Sequence, residues 1–381
     1  MTRLDRIIIA AVVLFVSLAA CAGMRLQAGG APHRALEVAP HKDAPVSMPV
    51  RVMPLGDSIT DGLQSSGGYR SDLWQYMRAD GMNTDFVGSR SSGPAQLDDR
   101  DDEGHPGWRI RQLSLHVSAW LLEYRPGIVL LQIGTNDVIQ RSGLAAAPSR
   151  LSALLDLITT TVPSAQVYVA TITPLASRPD DRRARAYNAA IPGLVSAKAA
   201  AGRHVHVVDM HAALSKDDLS GDGIHPTSGG YAKMAAAWYS ALTGRPMTRW
   251  EAESPTYATV NNGERLTTAN ASGNGKVGYL SAAGSFLEFA LQLPRAGRYR
   301  LYVRAGNGSS NTCEQRLTVN GRPGGELRYP AYGWDRWTIT AADVDLAAGR
   351  DTVRLAHATC SAEIDTIGLA PAPGVTVRSG Q

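Results

Sequence analysis

The stretch PLGDSITDG, residues 54–62, decides how we read the fold of this chain. The apolar run Val50 to Leu55 is typical of a buried strand, and it ends abruptly in Gly56-Asp57-Ser58. Two interpretations of this turn are open. Asp57 and Ser58 are residue types that cap a following helix, and a serine delivered to the end of a strand can also act as a nucleophile.

Residues 50–244 continue the pattern in which a strand is followed by a helix. Apolar, β-branched runs alternate with longer helical stretches, which is typical of βαβ units. The runs are Arg51 to Leu55, Thr84 to Val87, Ile128 to Ile133, Val167 to Thr171 and His204 to Val208. This alternation predicts a three-layer α/β fold around a five-stranded parallel sheet.

The texture changes after Pro246 to short alternating segments separated by Gly, Asn and Pro. They predict an antiparallel β-sandwich. The segments are Phe286 to Phe289, Tyr299 to Val303, Arg316 to Val319, Trp337 to Thr340 and Thr352 to Leu355. We therefore place one domain at residues 49–244 and a second at residues 249–370, with the boundary near Thr243 to Met247.

The N-terminus resembles an export signal. Arg3 and Arg6 precede the apolar stretch Ile7 to Ala20, which is too short to span a bilayer but fits the core of a signal peptide. It ends in Leu18-Ala19-Ala20-Cys21, which resembles the lipobox of bacterial lipoproteins. Residues 1–21 are thus expected to be a lipoprotein-type signal peptide in which Cys21 is lipidated and becomes the new N-terminus, and residues 22–48 are expected to form a flexible linker. Ordinary cleavage after Ala22 is the alternative.

Composition narrows the compartment and the partners. The chain has 381 residues, 44% of them hydrophobic, and a net charge of +4 without a Lys/Arg cluster. We expect an exported monomer, either in the cell envelope or extracellular, with no nucleic-acid partner. With Cys21 assigned to lipidation, Cys313 and Cys360 remain as one pair, and a disulfide between them would stabilise the fold by roughly 4 kcal/mol.

Chemistry is expected where the parallel strands end, because ligands gather at the carboxyl ends of such strands. The first strand leads to Ser58, the second to Gly88 in DFVGS, and the third to Asn136 in LQIGTND. Beyond the fifth strand lies SGDGIHP, which contains Asp222 and His225. The order of these residues predicts that they meet at one edge of the sheet.

These residue types fit ester cleavage. A serine hydroxyl needs an adjacent base, so Ser58 is the candidate nucleophile and His225 the candidate base. Asp222 would orient the imidazole. The backbone N–H groups of Ser58 and Gly88 and the side-chain amide of Asn136 would stabilise the oxyanion. This chemistry requires no cofactor.

The same motifs resemble the SGNH, or GDSL, hydrolase superfamily. Its four blocks correspond here to Gly56-Asp57-Ser58, Gly88, Gly134-Thr135-Asn136-Asp137 and Asp222-Gly223-Ile224-His225. The resemblance implies a flavodoxin-like α/β fold and serine esterase chemistry. The segments GGYRSDLW, DFVGS and DDEGHPGW are similar to carbohydrate esterase family three, whose members include acetyl xylan esterases.

Residues near the nucleophile are candidates for substrate binding. We expect Asp57, His105 and Trp108 to shape the acyl pocket, although structural packing explains His105 and Trp108 equally well. The acidic run Asp101 to Glu103 is interpreted as a solvated loop near the cleft.

The second domain resembles carbohydrate-binding modules of families six and thirty-five, with a jelly-roll sandwich. The resemblance rests on RWEAES at 249–254, on the strand texture and on the terminal EIDTIGL. It implies a structural calcium ion held by Glu251, Glu253 and Asp365, whose oxygen ligands suit that ion. The alternative is that these acids are ordinary exposed strand residues.

Three aromatic residues on loops of this domain are candidates for a sugar platform. Sugar rings pack their C–H faces on exposed aromatic rings, so we expect Tyr279, Tyr332 and Trp334 to be exposed and Trp337 to lie in the core.

Taken together, the sequence predicts an exported, membrane-tethered esterase that removes acetyl groups from polysaccharide. The alternatives are a lipid or short-chain ester hydrolase, an esterase for the cell's own wall glycans, and a carbohydrate-binding protein with an inactive hydrolase scaffold.

Overall fold

The computed structural model describes residues 48–374. The predicted signal peptide, the lipobox Cys21 and nearly all of the predicted linker lie outside the described residues. None of the helices within residues 48–374 combines the length and apolar character needed to cross a membrane.

The first part of the described chain is an α/β domain that runs from the first strand to a long helix. Its elements are β1 Val50–Gly56, α1 Ser58–Asp61, α2 Gly68–Ala79, β2 Thr84–Phe86, β3 Arg90–Ser91, β4 Asp101–Gly104, α3 Ile110–Tyr124, β5 Ile128–Gln132, α4 Thr135–Ile139, α5 Ala147–Thr161, β6 Gln166–Ala170, α6 Arg178–Asn188, α7 Ile191–Ala200, β7 Val205–Val208, α8 Met210–Ala213 and α9 Ser228–Thr243. Short 3-10 turns occupy Leu144–Ala146 and Lys216–Asp218.

Five strands of this domain form the predicted parallel sheet. Their spatial order is β2-β1-β5-β6-β7, which is the flavodoxin-like order. The prediction of a parallel α/β fold is confirmed, but the sheet has seven strands. The two additional strands are β4, which pairs with the end of β1 in parallel, and β3, which pairs with β4 in antiparallel.

Two apolar layers enclose the sheet, because successive strand residues point to opposite faces. Val52 and Leu130 pack against α2 and α9 on one face. Met53 and Leu131 pack against α3 and α5 on the other face. This alternation makes the three layers.

The second part of the described chain is a β-sandwich. Its strands are β8 Thr248–Glu251, β9 Ala258–Asn261, β10 Glu264–Thr267, β11 Gly275–Gly278, β12 Phe286–Leu293, β13 Gly297–Asn307, β14 Cys313–Val319, β15 Arg322–Tyr329, β16 Gly333–Leu346, β17 Gly349–His357 and β18 Glu363–Pro371, with a 3-10 turn at Ser272–Asn274. They form two antiparallel sheets, one with the path β10-β11-β18-β13-β16 and with β8 beside β18, the other with the order β15-β14-β17-β12-β9. The all-β jelly-roll prediction is confirmed. Cys313 and Cys360 form a disulfide.

The sandwich packs directly against α2 and α9 of the α/β domain. Tyr302 and Ala370 of the sandwich belong to the same apolar cluster as Tyr239. The hydroxyls of Tyr239 and Tyr302 both donate to the carboxylate of Asp80 at 2.6 Å. Burial of these aromatic rings and their shared acceptor joins the two domains into one body.

Candidate active site

The nucleophile candidate lies where β1 meets α1. Asp57 caps the helix, because its Oδ1 accepts a hydrogen bond from the backbone N–H of Ile59 at 3.0 Å. The side chain of Asp57 is 1% exposed, and this burial raises its pKa to about 6. Asp57 therefore stabilises the turn from the protein interior and does not line the substrate surface as expected. A side chain on Gly56 would overlap the carbonyl of Gln132, so the turn requires glycine there.

Ser58, His225 and Asp222 form a continuous chain of hydrogen bonds. Ser58 Oγ lies 2.8 Å from His225 Nε2, and His225 Nδ1 lies 2.6 Å from Asp222 Oδ2. Ser58 and His225 are 167 positions apart in the sequence. Both residues are nearly buried, with relative exposures of 7% and 8%. The geometry allows the imidazole to take a proton from the hydroxyl.

The loop before α9 fixes the Asp222 carboxylate. Its Oδ1 accepts hydrogen bonds from Ser220 Oγ and from the backbone N–H groups of Ile224 and His225, each at 2.9 Å. Partial burial alone raises the pKa of Asp222, but the hydrogen bonds from the His225 ring and from these donors outweigh it. The pKa of Asp222 therefore lies well below its usual range, and the carboxylate is ionised at neutral pH.

The three oxyanion candidates follow the ends of β1, β2 and β5. Ser58 is the first residue of α1, where backbone N–H groups lack partners within the helix. Gly88 passes so close to the backbone of Asp102 that a Cβ would overlap it. Asn136 lies in the first turn of α4, and its Nδ2 donates to the carbonyl of Trp108 at 3.0 Å. This bond orients the amide and leaves its second N–H for a ligand.

His105 and Trp108 lie in a stack of aromatic rings next to this site. The His105 ring packs against Trp108, at a centroid distance of 4.1 Å, and against Trp120, at 4.7 Å. His105 Nε2 also contacts Glu103 Oε2 at 2.8 Å. His105 is therefore held as a packing element, whereas Trp108 is half-buried and its carbonyl reaches the site through Asn136.

The aromatic candidates of the sandwich are exposed. The relative exposures of Tyr279, Tyr332 and Trp334 are 62%, 45% and 47%, whereas Trp337 is 7% exposed. The indole N–H of Trp337 donates to the carbonyl of Asn270 at 2.6 Å. The Trp334 ring covers Gly308, where a Cβ would overlap the ring.

The three acids proposed as calcium ligands lie around the turn at 271–275. Oε2 of Glu251 and Oε2 of Glu253 are buried without a hydrogen-bond partner. The two oxygens of Asp365 are occupied, one by the Ser272 N–H at 2.8 Å and the other by Arg304 at 2.5 Å. Within residues 48–374, no three His, Cys, Asp or Glu side chains are arranged as a ready metal centre.

Comparison with known families places the α/β domain. Residues 55–233 match the family model described as the GDSL-like Lipase/Acylhydrolase family. These residues form a GDSL hydrolase domain. The match includes the turn at Ser58 and the loop that carries Asp222 and His225. All three hydrogen-bonded residues therefore lie within the GDSL domain.

Known proteins resemble both parts of the chain. A multidomain esterase of Ruminococcus flavefaciens is 30% identical over 220 residues, which are 51% of this chain and 28% of the esterase, so the chain spans less than a third of that protein. A solved family 3 carbohydrate esterase of Clostridium thermocellum is 38% identical, with 51% of this chain and 94% of that chain covered and a TM-score of 0.47. A solved family 35 carbohydrate binding module from Clostridium thermocellum is 28% identical, with 32% and 98% covered and a TM-score of 0.29.

Sequence reasoning missed the buried residues that organise the loops of the GDSL domain. The fully buried Arg70 on α2 forms an ion pair with Asp102 at 3.1 Å. Its guanidinium also donates to the carbonyls of Thr60, Ser92 and Arg100. Arg70 thereby ties the segment after the nucleophile to the segment after Gly88. The motif GGYRSDLW contained this arginine, but nothing in the local pattern showed that it was buried.

The interpretation of Asp101 to Glu103 as a solvated loop is wrong. The three residues belong to β4, and Asp102 and Glu103 are fully buried. Glu103 accepts hydrogen bonds from the backbone N–H of Ser89 at 2.5 Å and from its hydroxyl at 3.1 Å. Because the carboxylates are matched to donors on neighbouring loops, their burial is tolerated, and they fix the backbone beside Gly88.

Proposed function

We propose that the protein is a serine esterase that removes acetyl and other short acyl groups from polysaccharide such as acetylated xylan. The observation that carries this proposal is the hydrogen-bonded chain Ser58–His225–Asp222 in a GDSL domain. The similarity to a multidomain esterase supports the reaction class. The proposed chemistry uses water together with side chains and backbone N–H groups that are already in place.

The first half of the proposed reaction forms an acyl-enzyme. Ser58 Oγ attacks the ester carbonyl carbon while His225 Nε2 takes the hydroxyl proton. The negative charge that develops on the carbonyl oxygen is stabilised by the N–H groups of Ser58, Gly88 and Asn136, each such donor being worth about 3 kcal/mol of barrier. Asp222 stabilises the imidazolium. The sugar oxygen then leaves with the proton from His225.

The second half reverses the roles with water as the nucleophile. His225 takes a proton from the water that attacks the acyl carbon, and the same donors hold the oxyanion. Ser58 Oγ leaves with the proton from His225, and acetate is released.

The test compares acetate release from acetylated xylan with hydrolysis of a long-chain ester. Wild type should prefer the xylan, Ser58→Ala should lose both activities, and Ser164→Ala, an exposed serine in the loop before β6, is the matched control. Full activity of Ser58→Ala contradicts the mechanism, and no hydrolysis of either substrate by wild type would favour an inactive scaffold. Preference for the long-chain ester would contradict the polysaccharide substrate. Faster release from the cell's own wall glycans would favour the wall esterase.

We further propose that the sandwich binds sugar through its exposed aromatic rings. The exposure of Tyr279, Tyr332 and Trp334 supports this, because a ring with a free face can pack against a sugar. The Trp334→Ala variant of the full chain should bind glycans less tightly than wild type in affinity electrophoresis. Tyr257→Ala changes another exposed aromatic residue, outside the proposed platform, and serves as the control.

Calcium is proposed as a structural ion of the sandwich. The unpartnered oxygens of Glu251 and Glu253 fit a hard cation, whereas Asp365 is already neutralised by Arg304 and contributes less. Calcium at a hundredfold excess over its Kd should stabilise the protein by about 2.7 kcal/mol. The comparison is thermal unfolding in calcium and in chelator, with Glu253→Gln expected to remove the difference and the exposed Glu264→Gln expected to keep it. An unchanged melting temperature contradicts the proposal.

The N-terminal proposals concern export and lipidation. We propose that the protein is exported and anchored through lipidated Cys21, with the linker extending from the membrane. Metabolic labelling with a radioactive fatty acid should mark wild type and not Cys21→Ser. Labelling of neither protein would contradict the anchor and favour release after cleavage.

A further inference from the structure

A polar cleft of about 460 Å³ lies between the GDSL domain and the sandwich. One wall is formed by the loop before α2 and by α2 itself, through Ser65, Ser71 and Gln75. The opposite wall is formed by the start of β16, through Arg336 and Trp337. Its volume falls in the range of sites that bind small organic ligands.

The walls of this interdomain cleft are held at a fixed separation. Arg304 of the sandwich forms an ion pair with Asp72 of α2 at 2.8 Å, and both residues are 4% exposed. Arg304 also donates to the hydroxyl of Ser228 at 3.1 Å. Gln75 accepts a hydrogen bond from the backbone N–H of Ile339 at 2.7 Å. The cleft is therefore preformed, and a ligand would not have to order it.

The lining offers hydroxyl and amide groups with few free charges. The buried hydroxyl of Ser71 has no hydrogen-bond partner. Asp335 at the mouth is paired with Lys276 at 2.9 Å. Within residues 48–374, Arg336 is exposed and its guanidinium has no hydrogen-bond or ion-pair partner. The hydroxyls and amides of the lining both donate and accept hydrogen bonds, and the Arg336 guanidinium adds unpaired N–H donors. This combination matches the hydroxyls of an uncharged sugar chain.

A single loop, residues 63–65, connects the cleft to the candidate active site. Gln64 donates to Asp222 Oδ2 at 3.3 Å, and Ser65, the next residue, lines the cleft. The hydroxyl of Tyr231, which also lines the cleft, donates to the carbonyl of Leu63 at 2.9 Å. A ligand that extends from the cleft therefore passes this loop before it reaches Asp222.

We infer that the interdomain cleft binds sugar residues of the polysaccharide chain that flank the acylated sugar. The sandwich then serves as the second wall of an extended substrate site, in addition to any binding on its exposed aromatic face. This inference rests on the proposed esterase function. It places Ser71 and Arg336 among the residues that favour polymeric over small substrates, because binding energy from remote parts of a substrate is used at the reacting centre.

The test compares two ester substrates with the full chain. Arg336→Ala removes the unpaired donor fork and should lower kcat/KM on acetylated xylan about tenfold, as expected for one lost charge-assisted hydrogen bond. Ser71→Phe fills the cleft and should lower it at least as much. Hydrolysis of 4-nitrophenyl acetate, which does not reach the cleft, should change less than about twofold in both variants. Arg322→Ala, on the exposed strand β15, is the matched control and should keep both rates.

A binding measurement separates this inference from the esterase proposal. Xylohexaose carries no ester, so wild type can be used, and amide hydrogen exchange of residues 63–75 and 335–337 should slow when it is added. Unchanged exchange there, or equal losses on both ester substrates, overturns the cleft assignment. Absence of serine-dependent ester hydrolysis overturns the esterase function instead, and the exchange experiment then still decides whether the cleft binds sugar.

Discussion

Replacement of Asp222 by asparagine tests the candidate site most sharply, because it changes one charge and almost no volume. In the folded protein Asp222 Oδ2 faces His225 Nδ1 at 2.6 Å, while Oδ1 is held by three donors at 2.9 Å. Those three donors should retain the carbonyl oxygen of the asparagine in the Oδ1 position. The NH₂ group is then directed at His225 Nδ1.

This orientation forces the wrong tautomer on the imidazole. Nδ1 must accept the hydrogen bond from the new amide, so the proton of the neutral ring moves to Nε2. A protonated Nε2 cannot take the proton of Ser58. The hydrogen bond from Gln64 to Oδ2 opposes this orientation, but it is 3.3 Å long and exposed, so the three shorter bonds decide.

The expected loss of kcat in Asp222→Asn has two sources, the lost charge and the wrong tautomer. A unit charge pair about 4 Å apart contributes about 4 kcal/mol at an effective dielectric constant of about 20, which corresponds to a rate factor of about 10³. The side chain of Asp222 is 31% exposed, so water weakens this term. The tautomer adds its own loss, and the same change in a serine protease triad lowers kcat about 10⁴-fold. We expect Asp222→Asn to lower kcat between about 10³-fold and 10⁴-fold.

The assay is hydrolysis of 4-nitrophenyl acetate at neutral pH, with circular dichroism and melting temperature as checks of the fold. The matched control is Asp217→Asn, the same substitution at an exposed position five residues earlier, which should keep the wild-type rate. A folded Asp222→Asn variant with activity within tenfold of wild type would refute the reasoning. It would show that Asp222 neither sets the tautomer nor stabilises the imidazolium.

Three further predictions concern the oxyanion candidates, the buried arginine and the acids of the sandwich. Gly88→Ala should lower kcat by about 10²-fold to 10³-fold, because the new methyl overlaps the Asp102 carbonyl and displaces the N–H group; unchanged kcat with an intact fold would argue against Gly88. Arg70→Met should lower the free energy of unfolding by about 3–5 kcal/mol in urea denaturation, because it leaves Asp102 buried without its partner; a loss below about 1 kcal/mol would contradict this, as for a surface pair. In calcium-free buffer, the free energy of unfolding should fall as pH rises from 4.5 to about 7. Burial and the neighbouring acids raise the pKa of Glu253 from 4.5 to about 7. The folded state therefore binds this proton more tightly than the unfolded state does, and the stability that the proton contributes is lost as Glu253 ionises. Glu253→Gln should flatten this profile in denaturant titrations, and an unaltered slope would exclude Glu253 as its source.

The sequence predicted the secondary structure and the order of the candidate residues well, because both depend on residues that are near one another in the sequence. The parallel strands appear as short, continuous apolar runs, because both faces of the sheet are covered. The cap at Asp57 is local as well, because its carboxylate accepts a hydrogen bond from the backbone N–H of Ile59, two residues later. The jelly-roll strands were recognised for the same reason, since inward and outward residues alternate along each of them.

Burial of charge is decided only by the tertiary structure, because it depends on donors that arrive from distant parts of the chain. Asp101 to Glu103 has the composition of a solvated loop, yet it forms a buried strand, because Arg70 pairs with Asp102 and the Ser89 N–H donates a hydrogen bond to Glu103. The interdomain cleft has the same origin: Arg304 and Asp72 are 232 positions apart, and neither local pattern signals their pairing. A sequence alone fixes which faces are apolar; which carboxylate meets which guanidinium is settled when the layers pack.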